Sequence, residues 1–514
     1  MSTHHWRRSI NALAVTAFLL AACAAPAAEA VAQVAAAQET YPSEATVPGI
    51  TLTPLPTRPA FDPGEVVDYA AQNGDNLIAL AVRFNTSIEE IVRANPEIPS
   101  GVTTLPAGFP MKIPIYYRPF WGSPFRIIPD SHFINGPGVV DFDTQAFVDT
   151  HPGWLAEYRG YASGRIRSGA GLVDLVATNF SISPRVLLAL LEYQSEALSQ
   201  PELLPAWETY PMRLARRGHG NVYLQLVAAA NALNNGYYAW RNGKLIEFEL
   251  PDGSLYRPDP WVNASTVALQ IFFNETRPED FEPSIGPEGF AAVYANLFGD
   301  PWQNDIAHIQ GSLVQPELRL PFVPGDLWAY TGGPHTGWGN GEPFAALDFA
   351  PGLLTKGCIS TEKWATAVAD GVVVRSETGI VALDLDGDGD ERTGWVIFYL
   401  HLSKHDRARV GQYILAGQPV GHPSCEGGES TGTHVHVARK YNGEWINAAG
   451  ALPFVMEGWV PAEGLAVYLG TLIKLGHTVT ACTCSDAATG VISQAAYVPI
   501  PTPALQATPL ASEN

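Results

Sequence analysis

The sequence predicts a multidomain α+β chain: a small βααβ module near the N-terminus, a mostly helical middle, and an all-antiparallel β domain toward the C-terminus. Three observations carry that prediction. The length of 514 residues exceeds a single core and, at about 150 residues per domain, allows about three. Apolar residues recur at i, i+3, i+4 spacing over 172–179, 184–194 and 223–233, the period of a helix with one buried face. Toward the C-terminus the apolar run WVIFYLHLS and the alternation in GTHVHVARKY read as strands. Composition bounds function: 46% apolar and 16% charged residues permit sizeable cores. Lys plus Arg at 30 against Asp plus Glu at 51, a net of −21, argues against a nucleic-acid binder and against a polybasic membrane-surface protein.

Taken in order, Arg7 and Arg8 precede an eleven-residue apolar stretch, Ile10 to Leu20. It is short for a bilayer span and right for a signal segment. Leu20-Ala21-Ala22-Cys23 resembles the lipobox of bacterial lipoproteins. That resemblance implies export, cleavage after residue 22, lipid attachment at Cys23 and a membrane anchor at the N-terminus. Residues 24–63, rich in Ala, Pro and Thr without apolar period, read as an extended linker. The Pro/Thr/Ala-rich end, 485–514, is expected to be a disordered tail.

Residues 64–116 open with a short strand. Asn76 can cap a first helix, Thr86 or Ser87 a second with Glu89 and Glu90 in its first turn, and a Gly108 turn leads to a closing strand. The Gly74-Asp75 turn, Leu77, Phe84, Asn95-Pro96 and Leu105…Gly108…Ile113-Pro114 resemble a LysM domain. The resemblance implies binding of N-acetylglucosamine polymers in a groove between the loop after the first strand and the loop after the second helix. Gly74, Asp75, Asn76, Asn95 and Pro96 become the candidate glycan contacts.

Residues 130–315 read as a helical domain, with Ser183-Pro184 starting one helix. The string PRVLLALLEYQSEALSQP has a likeness to the catalytic helix of lytic transglycosylases, but Gln194 stands where the acid should, and an amide cannot protonate a leaving group. A helical spacer or a degenerate glycan-binding domain remain the alternatives. Tyr237, Tyr238 and Trp240 are either sugar-stacking or core.

Six of the thirteen histidines lie between His335 and His436. On a strand, His434 and His436 share one face about 7 Å apart with Val435 opposite. Asp348 sits in the apolar run AALDFAP, where a carboxylate needs a charge or a metal. His335 precedes it by thirteen residues across a Gly- and Trp-rich loop, and His401 ends WVIFYLHLS. Two His and one Asp around zinc, with a fourth position for water, form a catalytic arrangement, and the remaining imidazoles would move protons.

Gly-Gly-Pro-His…Leu-Asp-Phe, Tyr-Leu-His-Leu-Ser and Gly-Thr-His-Val-His, in that order, resemble the lysostaphin and β-lytic superfamily of zinc metalloendopeptidases over residues 320–475. Position 344 is Phe, so the short His-to-Asp spacing of many members is absent and the longer spacing resembles the β-lytic branch. The resemblance implies a duplicated-hybrid-motif type of sheet, and Zn2+ held by His335, Asp348 and His436. It also implies His401 and His434 as catalytic residues and peptide cross-links of peptidoglycan as substrate. His434 would take a proton from water, and His401 would hold the oxyanion and protonate the leaving amine, with Tyr468 a further oxyanion donor. Two other readings stay open: a non-catalytic LysM lipoprotein that regulates other wall hydrolases, and a secreted protease of glycine-rich proteins.

Besides Cys23, the chain has Cys358, Cys425, Cys482 and Cys484. An even count in an exported protein suggests disulfides, with Cys358–Cys425 and Cys482–Cys484 preferred among three pairings. Asp384 to Glu391 fits the first half of a calcium loop, but Trp395 stands at its twelfth position, so a hairpin turn is expected.

Overall fold

The computed structural model describes residues 60–119, 121–215, 218–352, 357–482 and the backbone of 491–493. The expected signal segment with Cys23, most of the linker and Cys484 lie outside the described residues. Among the described residues no helix is long and apolar enough to cross a membrane.

In the first module β1 (Glu65–Ala70) is followed by α1 (Leu77–Arg83), α2 (Ile88–Ala94) and β2 (Pro110–Ile115). The strands pair antiparallel in unbroken register, Glu65 opposite Ile115 and Ala70 opposite Pro110. Asn76 caps α1 through the amide of Ala79, and Ser87 caps α2 through that of Glu90. Each cap satisfies an otherwise orphaned helix donor. Tyr69, Leu80, Phe84, Ile91, Met111 and Ile113 form the core between strands and helices.

The middle region is built from α3 (Gly169–Phe180), α4 (Pro184–Ser195), α5 (Val222–Arg241), α6 (Ala264–Thr276) and α7 (Phe290–Phe298). The long α5 lies at its centre, packed on α3 and α6. Its aromatics Tyr237, Tyr238 and Trp240 are buried, so that cluster is core and offers no stacking surface. Gln194 is also structural: its amide donates to Thr276 Oγ1 at 2.8 Å and accepts from Arg277 Nε at 2.8 Å.

The third region is a nine-stranded sheet. It contains β3 (Leu327–His335), β4 (Ala346–Pro351), β5 (Gly371–Glu377), β6 (Gly379–Asp384), β7 (Trp395–Leu402) and β8 (Val435–Tyr441). Across it the order is Tyr413–Ile414, β5, β6, β7, β8, β4, β3, Val491–Ser493, with Glu444–Trp445 paired to β8. Every pairing is antiparallel. The edge strand Val491–Ser493 falls inside the segment expected to be a disordered tail. Pairing with Leu327–Ala329 satisfies backbone groups that β3 would otherwise leave open at the sheet edge.

Period-2 alternation sorts the sheet's two faces. Leu347, Phe349, Ile397, Tyr399, Val435 and Val437 join one core with Trp328 and Tyr330. Ala346, Phe398, Leu400 and Ala438, their neighbours in sequence, join the core of the helical region. The helices therefore cover one face of the sheet, and His436 and Asp348 belong to that same face by register.

The three regions meet at Arg241, the last residue of α5. Its buried guanidinium pairs with Glu444 at 2.9 Å and Asp130 at 3.2 Å and donates to the backbone carbonyl of Asn73 in the first module. His308 Nε2 lies 2.8 Å from the other oxygen of Glu444. Burial pushes the Glu444 carboxyl up, but Arg241 and then His308 outweigh it and hold it down to about 2. Four titratable groups from two regions, joined by a backbone carbonyl of the third, thus satisfy one another out of water.

Candidate metal centre

Adjacent strands supply the site. Asp348 in β4 stands opposite His436 in β8 and opposite Gly332 in β3, and His335 ends β3 opposite Ala346. Gly332 is required by closeness alone: a Cβ there would stand 2.6 Å from Asp348 Oδ2. His335 Nε2, Asp348 Oδ1 and His436 Nδ1 lie 3.0–3.3 Å from one another, and all three residues are buried. Ligands about 2.0–2.1 Å from a tetrahedral ion stand about 3.3–3.4 Å apart, so the triangle is close to that size.

The outer ring nitrogens fix the tautomers. His335 Nδ1 lies 2.8 Å from the carbonyl of Gly333, and His436 Nε2 lies 3.1 Å from that of Gly337. Carbonyls only accept, so each outer nitrogen carries the proton and each inner one presents a lone pair. Two lone pairs 3.0 Å apart beside a carboxylate oxygen without a hydrogen-bond partner is an arrangement that a cation, and no proton count of the side chains alone, fully satisfies. The residues fit a divalent ion with N and O preference. Burial disfavours charge on Asp348, yet the imidazoles of His335 and His434 outweigh it and hold its carboxyl well below the usual range.

His401 and His434 border this triangle. Their rings are 4.6 Å apart, and His401 is 6.2 Å from His436. His401 ends β7 with φ of 64°, a left-handed conformation uncommon outside glycine. Its Nδ1 lies 3.0 Å from the carbonyl of Glu426. Burial first, then the two neighbouring imidazoles, lower its pKa to about 3. The ring is neutral with Nδ1 protonated, so its Nε2 accepts protons. Nε2 is thus the nitrogen of His401 left free to exchange a proton with a group bound at the site. His434 Nδ1 likewise faces the carbonyl of Gly432 at 2.8 Å, leaving Nε2 3.6 Å from Asp348 Oδ1.

Sequence reasoning missed the groups that orient these rings. The carbonyls of Gly333, Gly337, Gly432 and Glu426 carry no side-chain signature, although three belong to glycines in the motifs already singled out. The Glu426 carbonyl sits next to the Cys358–Cys425 disulfide, which ties its loop to residues 357–359. Tyr468 stacks on His335 at 4.3 Å, which places its ring beside the triangle.

Among the glycan candidates, Asp75 and Asn95 are buried. Asp75 accepts from Tyr69 at 2.6 Å and Arg83 at 2.7 Å. Asn95 donates to the carbonyls of Ile91 and Lys112 and accepts from the amide of Lys112, each at 2.7 Å. Their side chains are thus spent on the module's own frame. The guanidinium of Arg241 lies over Gly74, the amide of Asn76 donates to the carbonyl of Arg241 at 3.2 Å, and Pro96 is exposed. The carboxylates of Asp384, Asp386 and Asp388 gather at the turn between β6 and β7, where they accept backbone amides within the turn.

A buried His-Asp-His triangle on an antiparallel sheet, flanked by two further imidazoles, is an arrangement of the kind that metal-dependent hydrolases use. Comparison with known proteins agrees and narrows it. Residues 358–448 match peptidase family M23, residues 126–311 the LasA N-terminal domain and residues 69–114 the LysM domain. Protease LasA of Pseudomonas aeruginosa is 25% identical over 348 residues, 63% of this chain and 75% of that protein. The beta-lytic metalloendopeptidase of Lysobacter enzymogenes is 31% identical over 140 residues, 26% of this chain and 74% of that protein. The solved M23 metalloprotease pseudoalterin is 24% identical, covering 33% of this chain and 96% of its own, with a TM-score of 0.28. The chain belongs to peptidase family M23, with a LysM domain near its N-terminus.

Proposed function

We propose that the protein is a zinc-dependent endopeptidase that hydrolyses peptide cross-links of peptidoglycan, exported and anchored through Cys23, with the LysM domain (64–116) holding glycan. In this reading residues 130–315 form a helical domain against the catalytic domain at 320–475. The observation that carries it is the triangle of His335 Nε2, Asp348 Oδ1 and His436 Nδ1, with both inner imidazole nitrogens deprotonated by their backbone partners. The relatives named above, peptidases by name, support the reaction class.

Zinc held by these three side chains would supply Lewis-acid polarisation of the scissile carbonyl and acidify water at the site. The chain's own residues manage the protons. His401, kept neutral by burial, offers Nε2 as an acceptor and becomes a donor only after taking a proton from the attacking water. The proton His401 takes from the attacking water is the one the leaving amine receives, while His434, with Nε2 3.6 Å from Asp348 Oδ1, stands beside the triangle and positions the reacting groups through that nitrogen. The buried surroundings exclude competing water and strengthen each of these contacts.

All five residues are present, which favours an enzyme over a non-catalytic regulator of other hydrolases. The test is zinc content together with digestion of purified peptidoglycan by the mature chain, beside His436→Ala. About one zinc per chain, new peptide termini, and loss of both in the variant are expected. A metal-free wild type that binds wall but releases no termini would overturn the proposal in favour of the regulator.

A further inference from the structure

We propose that the glycan groove of the LysM domain is an internal docking surface whose resident ligand is residues 306–313 of the same chain, so that a glycan strand enters only by displacing that segment. The inference rests on the reading of this domain as a glycan binder.

The segment lies against both loops that border the groove. From the loop after β1, the Asn73 amide donates to the carbonyl of Ile306 at 3.0 Å and contacts His308 Nδ1 at 2.6 Å, while its oxygen accepts from the amide of Ile309 at 2.9 Å. From the loop after α2, Thr103 and Thr104 hydroxyls donate to the carbonyls of Leu313 at 2.6 Å and Gln310 at 2.7 Å. Thr104 also accepts from the amide of Leu313 at 3.0 Å, and its carbonyl accepts from that of Ser312 at 2.8 Å. Asn73 and Thr104 each both give and receive, and what they read is amide: a carbonyl acceptor beside an N–H donor. The acetamido groups of N-acetylglucosamine present the same pair of functions. The segment is therefore a peptide stand-in for the acetamido groups of a glycan chain.

Closeness of fit supports the same conclusion. Gly311 packs on the Pro106 ring, and a Cβ at Gly311 would stand 2.4 Å from Pro106 Cγ and 2.8 Å from its nitrogen. Neither the ring nor the backbone can yield cheaply. Space remaining beside the segment is a cavity of about 430 Å³ bordered by Gly74, Asn76, Thr103 and Thr104 on the module and by Ile309 and Leu313 on the segment.

A site filled by its own chain binds an outside ligand with an affinity reduced by the fraction of time it stands open. The experiment uses the full chain and a soluble N-acetylglucosamine hexamer. Saturating hexamer is expected to speed amide hydrogen exchange at Ile309, Ser312 and Leu313, whose N–H groups point into the loops. Gly311→Val, whose side chain would collide with Pro106 and loosen the segment, is expected to bind the hexamer at least tenfold more tightly. Equal binding by both proteins with unchanged exchange over 306–313 would overturn the proposal and leave the glycan-binding reading standing. Binding by neither would remove the glycan-binding reading and the proposal with it. Should Gly311→Val fail to fold by circular dichroism, the exchange response of the wild type decides alone.

Discussion

Replacing Glu444 by Gln keeps the shape of the buried junction and removes its negative charge, leaving Arg241 with Asp130 as its only carboxylate partner. Two independent routes give the magnitude. The carboxyl is held at about 2 against an ordinary 4.5, and at about 1.4 kcal/mol per pKa unit this is about 3 kcal/mol. Breaking a buried ion pair from one side costs about 3–5 kcal/mol, and the remaining Asp130 places the variant at the lower end. The sign follows from the depressed folded-state value: the stabilisation is complete above about pH 4.5 and is lost as pH falls toward 2. Urea unfolding followed by tryptophan fluorescence, for wild type and Glu444→Gln in parallel, should give a difference of about 3 kcal/mol at pH 7 that shrinks toward zero in acid. A difference under about 1 kcal/mol at pH 7, or one that does not shrink on acidification, would refute the assignment of this network as a stabilising junction.

His401→Ala should retain its metal, since the triangle does not include it, while losing turnover by about 10²–10⁴-fold; metal analysis and wall-digestion rates on the same sample separate the two effects. Cys358→Ser opens a loop of 67 residues and should cost about 4 kcal/mol by the loop-entropy relation, read from denaturation midpoints, with a fall in turnover as the Glu426 carbonyl loses its tether beside His401. Asn95→Ala removes three hydrogen bonds inside the LysM domain and should destabilise by about 2–3 kcal/mol, so any loss of wall binding in this variant must be compared with its thermal unfolding before it is read as a lost sugar contact.

Much of this architecture was legible because it rests on short-range rules. The helix starts at Asn76 and Ser87 follow from capping chemistry, and the shared face of His434 and His436 follows from the strand period. The placement of Asp348 beside them could be inferred only because a carboxylate in an apolar strand demands a partner. Other features depend on contacts between residues far apart in the chain. Asp75 and Asn95 look like free loop residues until Arg83 and Lys112 fold onto them. The assembly around Arg241 joins Asn73, Asp130, His308 and Glu444, which no spacing rule connects. The tautomers of the site histidines are set by backbone carbonyls, which are invisible in the side-chain pattern.

The origin of the three triangle residues in β8, β4 and β3, consecutive strands of the sheet, makes the site a gauge of assembly. A slip of β8 by one residue would turn His436 to the opposite face and offer Val435 or Val437 in its place. An ion held by the triangle would therefore bind the correctly aligned sheet and none of its shifted alternatives. By mass action it would deepen the native state by an amount that grows with the ion's concentration. Misaligned molecules would be unable to retain it, so metal occupancy in a freshly folded sample would count the fraction of chains whose strands had found their proper partners.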